Sequence, residues 1–115
     1  MREARRGAVF VGSTDLTHYG PNYGFSPAGE GAAAVRWVRE ENDAGFLDAV
    51  LDEDSRRALA HGLERQSACC PGAVAAAMEA VRAYQGTLAP ALVDHYLSCD
   101  VRPDPSFVGY AGLVL

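Results

Sequence analysis

Gly7-Ala8-Val9-Phe10-Val11-Gly12-Ser13-Thr14-Asp15-Leu16-Thr17-His18-Tyr19-Gly20 is the stretch on which the fold turns. Its first six residues are a short apolar run bounded by glycines. That pattern predicts a buried strand, parallel and central, because both of its sides are apolar. The polar cluster that follows lies just past the C-terminal end of that strand, where open α/β sheets bind ligands. Residues 13–31 are rich in glycine, proline and aromatics. They read as a long ordered loop, the kind of segment that carries function.

Downstream, residues 30–42 place Ala34, Trp37 and Val38 on one side, an amphipathic helix. Asp43 is the expected N-cap of a second helix that turns Phe46, Leu47, Val50 and Leu51 inward. Asp52 or Asp54 caps a third, with Ala58, Leu59 and Leu63 inward. Cys69-Cys70-Pro71-Gly72 interrupts the periodicity, and Pro71 suits the first turn of a helix running to Gln85 and ended by Gly86. Residues 92–98 and 107–115 are strand candidates. The expected order is β-α-α-α-α-β-β, an α/β fold. Without repeats, low-complexity tracts or an evident linker, residues 1–115 read as one domain. The helices and strands are too few to cover both sides of an apolar first strand, so the chain reads as part of a larger domain.

Composition narrows the function. The chain has 115 residues, 49% of them hydrophobic and 22% charged, as in soluble globular proteins. A net charge of -5 argues against nucleic acid as a partner. The longest apolar run, residues 73–78, is far short of the ~20 residues that span a bilayer. The basic start, residues 1–6, is followed by too few apolar residues for a signal peptide. No membrane association and a cytoplasmic location are therefore expected. All 10 basic residues are arginine and scattered, which reads as codon bias rather than an anion site. The 3 cysteines show no disulfide framework and no CxxC, consistent with a reducing compartment.

The residue chemistry leaves several readings open. Asp15 and His18 at a strand end suit an oriented acid/base pair, or simply satisfy a polar loop. Cys69, ahead of Pro71 and a helix, sits where the helix dipole favours a thiolate, as nucleophile or metal ligand; the alternative is an inert buried cysteine. A thiol enzyme using Cys69 with His18 as base is thus a further reading. His61 reads as an exposed helix residue. His95 and Cys99 share a strand face but stand more than about 12 Å apart, too far for one metal site.

Together these stretches resemble the C-terminal part of the Memo family, whose prokaryotic members are called AmmeMemoRadiSam system protein B. The family signature Ser-Ser-Asp-Leu-Ser/Thr-His-Tyr/Trp-Gly is matched by residues 13–20, and its bacterial continuation Pro-Asn-Tyr-Gly-Phe-x-Pro by residues 21–27. Ser67-Ala68-Cys69-Cys70 resembles a Thr-x-Cys-Gly segment, residues 96–101 a Tyr-x-Ser-Gly-Asp-Val run, and residues 106–111 the closing Ser-x-Val-x-Tyr-Ala.

The resemblance implies the C-terminal portion of a three-layer fold like that of the class III extradiol dioxygenases, with a metal at the strand ends. It implies Cys69 as metal ligand and His18, beside Asp15, as acid/base group. It implies Tyr19, Tyr23 and Phe25 as walls of a pocket for a small-molecule substrate. Iron is the expected metal, with copper and zinc also suited to Cys plus imidazole. The family's two histidine ligands belong to an N-terminal half that these residues do not include. The site is therefore expected to be completed from outside this chain, in cis, in trans or by a homo-oligomer, and the chain alone is expected to hold no metal tightly. A fragment, a split protein and a misplaced start all fit. A binding or scaffold module without catalysis, or a degenerate copy, is the alternative. Cys70 and Cys99 stand where the family usually has glycine.

Overall fold

The opening stretch enters the sheet through its last residues rather than its first. In this computed structural model, which describes residues 7–115, residues 7–12 run exposed and outside any sheet, Val9 at 89% and Val11 at 84% exposure. The strand forms later, as β1 (His18–Tyr19). The expectation of a parallel, central strand at residues 7–12 is thus overturned. Among the described residues, no strand pairs with that run, and its apolar contacts are side-chain ones, Phe10 meeting Tyr84 edge-on with ring centroids 5.6 Å apart. Leu16 N–H instead donates to Gly109 O at 2.9 Å, and Gly109 N–H to Thr17 O at 3.0 Å, drawing the polar end of the stretch into an antiparallel pair. Gly20, at φ 112°, then turns the chain. A Cβ there would run into the Pro105 carbonyl and Ser106, so no other residue fits.

The helices follow α1 (Ala32–Trp37), a π turn (Val38–Asn42), α2 (Asp43–Leu51), α3 (Ser55–Arg65) and α4 (Pro71–Gln85). The first two join through the π turn into one continuous helical run, so Asp43 caps nothing: Asn42 before it is already helical. Asp43 is spent elsewhere, as described below. Asp54, not Asp52, caps α3, accepting from Arg57 N–H at 3.0 Å. Pro71 opens α4 and Gly86, at φ 84°, ends it, as the sequence predicts. The chain closes with β2 (Ala91–Leu97), a short α5 (Ser98–Val101) and β3 (Phe107–Val114). The short helix between the last two strands is absent from the expected order.

The sheet has 3 strands in the order β1-β3-β2, both pairs antiparallel, with a bulge between Leu92 and Asp94. The fold is mixed helix and sheet, as expected. One core gathers Leu16, Phe46, Leu47, Val50 and Met78, against which Ala111, Leu113 and Leu115 pack. A second holds Tyr19, Val38, Leu97 and Phe107. Full burial of such side chains is worth roughly 1.5–3 kcal/mol each, which makes these clusters the main stabilising term. On the other face of the sheet Tyr96 meets Tyr110, ring centroids 5.5 Å apart, with Tyr96 half exposed.

Candidate functional site

Two loops meet at the site. The first carries Thr14 and Asp15 and runs into β1, which His18 opens; the second joins α3 to α4 and carries Cys69 and Cys70. Their main chains and one hydroxyl tie them together: Cys69 N–H donates to Asp15 O at 3.1 Å and Cys70 N–H to Thr14 Oγ1 at 2.8 Å. Thr14 Oγ1 also lies 3.6 Å from Cys69 Sγ. Partial burial pushes the Cys69 thiol up. Hydrogen bonds from the Thr14 hydroxyl, the Asp15 main chain and the Cys70 thiol outweigh it, so the Cys69 pKa lies below its ordinary value. The same contact works in reverse on Cys70, whose thiol is raised by bonding to Cys69 and by that neighbour's charge. Burial, then Asp100, raises Cys99. All three cysteines are free.

A cavity of about 330 Å³ opens between the loops. His18, Tyr23, Phe25 and Cys69 line it together with Leu63 and Gln66. His18 Nε2 stands 3.6 Å from Asp15 Oδ2, and its ring lies 5.0 Å from that of Tyr23. The structure thus brings together His18, Asp15, Cys69, Tyr23 and Phe25. Tyr19 stands apart: it is buried, stacks on Phe107 at 5.2 Å, and its hydroxyl donates to Gly29 O and accepts from Ala28 N–H. It supports Phe25 by an edge contact at 6.0 Å rather than lining the cavity.

Beneath the site lies a buried polar knot that sequence reasoning missed. Asp43, fully buried, accepts through Oδ1 from Thr17 N–H at 3.0 Å and from the Thr17 hydroxyl at 2.5 Å. Its Oδ2 lies 2.9 Å from His95 Nε2. Gly109 gives that carboxylate its room, since a Cβ there would collide with Oδ2. Asn42 completes the knot, donating to Thr17 Oγ1 at 3.1 Å and to Arg65 O at 3.0 Å. These partners are 26 and 52 residues from Asp43, so no local pattern announces them.

His61, expected to be exposed, is half buried and partnered. Ser67 Oγ donates to His61 O at 3.2 Å and lies 2.7 Å from His61 Nδ1. Ser67 is fully buried two positions before Cys69, so His61 anchors the loop that carries the thiol.

Cys69 and His18 offer a sulfur and an imidazole to one cavity. That fits part of a coordination shell for iron, copper or zinc, which take three or four protein ligands. Among the described residues, no three His, Cys, Asp or Glu side chains converge to hold an ion. Nor, among them, is any helix long and apolar enough to cross a membrane.

The sequence profile of the family described as Memo-like protein matches residues 1–114. Similar relatives are MEMO1 family proteins of three archaea. The one from Methanococcoides burtonii is 31% identical over 116 residues, covering 100% of this chain and 38% of the relative. That from Thermococcus onnurineus is 32% identical over 114 residues, 97% of this chain and 39% of the relative. That from Thermococcus kodakarensis is 31% identical over 115 residues, 98% of this chain and 39% of the relative. The chain spans about two fifths of the length of the curated relatives it matches.

Proposed function

The chain belongs to the Memo-like protein family, and from that premise we propose that it is the C-terminal portion of a dioxygenase-like, metal-binding redox protein. It contributes Cys69 as a metal ligand and His18, beside Asp15, as the acid/base group. The remaining ligands and the missing layer of the fold come from residues outside this chain, in cis, in trans or from a second copy. The observation that carries this reading is the shared cavity: His18, Tyr23, Phe25 and Cys69, drawn from two loops far apart in sequence, face one space.

Each side chain has a task there. Cys69 is held toward the thiolate a metal requires by Thr14 and the Asp15 main chain. A metal held by Cys69 and by ligands from outside this chain would supply Lewis-acid polarisation of a substrate oxygen. His18 takes or returns a proton at Nε2, and Asp15, 3.6 Å away, faces that nitrogen. Tyr23 and Phe25 shape the wall for a small-molecule substrate and exclude water, while Tyr19 holds Phe25 from behind. The free thiols accord with a reducing, cytoplasmic setting.

Metal analysis tests this. With a histidine-bearing N-terminal half supplied in trans, bound metal is measured for the wild type, Cys69→Ser, Cys70→Ser and Cys99→Ser. Only Cys69→Ser should abolish the metal. Release by Cys70→Ser instead, or tight binding by the lone chain, overturns the ligand assignment. The second reading, a binding module without catalysis, draws on the exposed apolar residues Val9, Val11 and Val114. It stands if the assembled protein binds no metal in any form.

A further inference from the structure

The loops that carry His18 and Cys69 are joined at the surface by bonds from the Cys69 and Cys70 amides. Such rim bonds compete with water and need a brace. One lies directly beneath. Asn42 is 3% exposed and sits at the last position of the π turn, a helical irregularity that recurs at functional sites. One amide hydrogen goes to Thr17 Oγ1, next to His18; the other goes to Arg65 O, at the end of α3 where the Cys69 loop departs. The Thr17 hydroxyl has given its hydrogen to Asp43, so it receives Asn42 as an acceptor. The loop then leaves α3 through Gln66 in a left-handed conformation, φ 52°, which leaves Arg65 O without a continuing helical turn.

We infer that Asn42 is a positioning residue for this site: its side-chain amide sets the spacing between the loop that carries His18 and the loop that carries Cys69. The chemistry is specific to the amide. Two donors must leave one nitrogen toward two acceptors on different elements, which a carboxylate, a hydroxyl or an apolar side chain does not supply. The inference rests on the reading of His18 and Cys69 as site residues, and its test is independent of metal.

Amide hydrogen exchange, read residue by residue on the full chain, measures the spacing directly. In Asn42→Ala the Cys69 and Cys70 amides should exchange at least about tenfold faster, while Met78 and Val81 in α4 keep their wild-type protection. The NMR resonances of the His18 ring should shift in the same variant. If Asn42→Ala does not fold, Asn42→Leu carries the test, since it keeps the side-chain shape and volume while it removes both donors and leaves the Thr17–Asp43 bond in place. It should show the same selective loss. Equal acceleration of all amides makes Asn42 a general stabiliser and overturns the inference, as does an unchanged rate at Cys69 and Cys70. A negative exchange result with metal loss in Cys69→Ser leaves the proposed site standing without Asn42. The converse pair of results keeps the brace and removes the metal reading.

Discussion

At the scale of single residues the site depends on small polar side chains set against larger ones. Thr14 is the main hydrogen-bonding group that lowers the Cys69 thiol. In Thr14→Val the midpoint of iodoacetamide labelling of Cys69 against pH should move up toward the ~8.5 of free cysteine. In the wild type Cys69 should label at lower pH than Cys70 and Cys99, both of which are raised. Mass spectrometry of the labelled peptides reads this, and equal midpoints for the three thiols would sink it. His61 makes a prediction about pH. Burial, then the charges of Arg65 and Arg57, lowers its pKa, so the folded protein holds the neutral ring. The unfolded chain takes up the proton first, near pH ~6.5. The contribution of His61 is therefore full above that pH and is lost as pH falls toward the lower folded value. The urea midpoint of the wild type should drop over that window, and His61→Gln should flatten the drop. An unchanged slope would show that other groups set the acid sensitivity. Cys70 and Cys99, the two cysteines expected to replace glycines, need little accommodation: Cys70 has φ -134° and Cys99 lies in α5, so neither requires the left-handed region.

At the scale of elements, what the sequence made legible was local. Pro71 and Gly86 bracket α4 by their own backbone preferences, and the apolar spacing of residues 46–51 marks the inward side of α2. The polar cluster past residue 12 stood out as a candidate site because Asp15, His18 and the following aromatics stand close in sequence. The rest was set by contacts across the chain. Asp43 resembles a cap because an acidic residue ahead of an apolar run usually is one. Only the distant Thr17, His95 and Gly109 show that it belongs to the interior of a continuous helix. His61 resembles a solvated helix residue until Ser67 is seen against it. The Asp43 knot also makes β3 sensitive at one point. Gly109→Ala drives a methyl group into a buried carboxylate that bonds both Thr17 and His95. Overpacking of this kind costs about 1–3 kcal/mol, and any bond it breaks inside the knot adds about 1–3 kcal/mol. Gly112→Ala, where only Val93 comes within 4.0 Å, is the control and should change stability little. Denaturant unfolding of the two variants should separate them clearly, and equal stabilities would mean that the carboxylate has room to move.

For the whole molecule, the described residues leave apolar surface uncovered. The radius of gyration is 15.7 Å, against about 13 Å for a compact domain of this length. Val9, Val11, Val93 and Val114 are 89, 84, 70 and 56% exposed. Residues 8–12 border an open apolar hollow of about 550 Å³ shared with Val74, Leu113 and Leu115. Contiguous apolar surface bordered by unpaired main chain drives association. The purified chain should therefore sediment as a concentration-dependent mixture of species, and the run at residues 8–12 should be the cause. Covering one exposed valine is worth up to roughly 1.5–3 kcal/mol. The double variant Val9→Asp, Val11→Asp removes two such gains and adds charge repulsion, so the association constant should fall by at least about tenfold. Circular dichroism should stay the same, since neither side chain belongs to the two cores. A chain that sediments as one compact monomer at all concentrations, or a double variant that associates as strongly as the wild type, would place the adhesive surface elsewhere, with the half-exposed Tyr96 and the outer edge of β2 next to be tested.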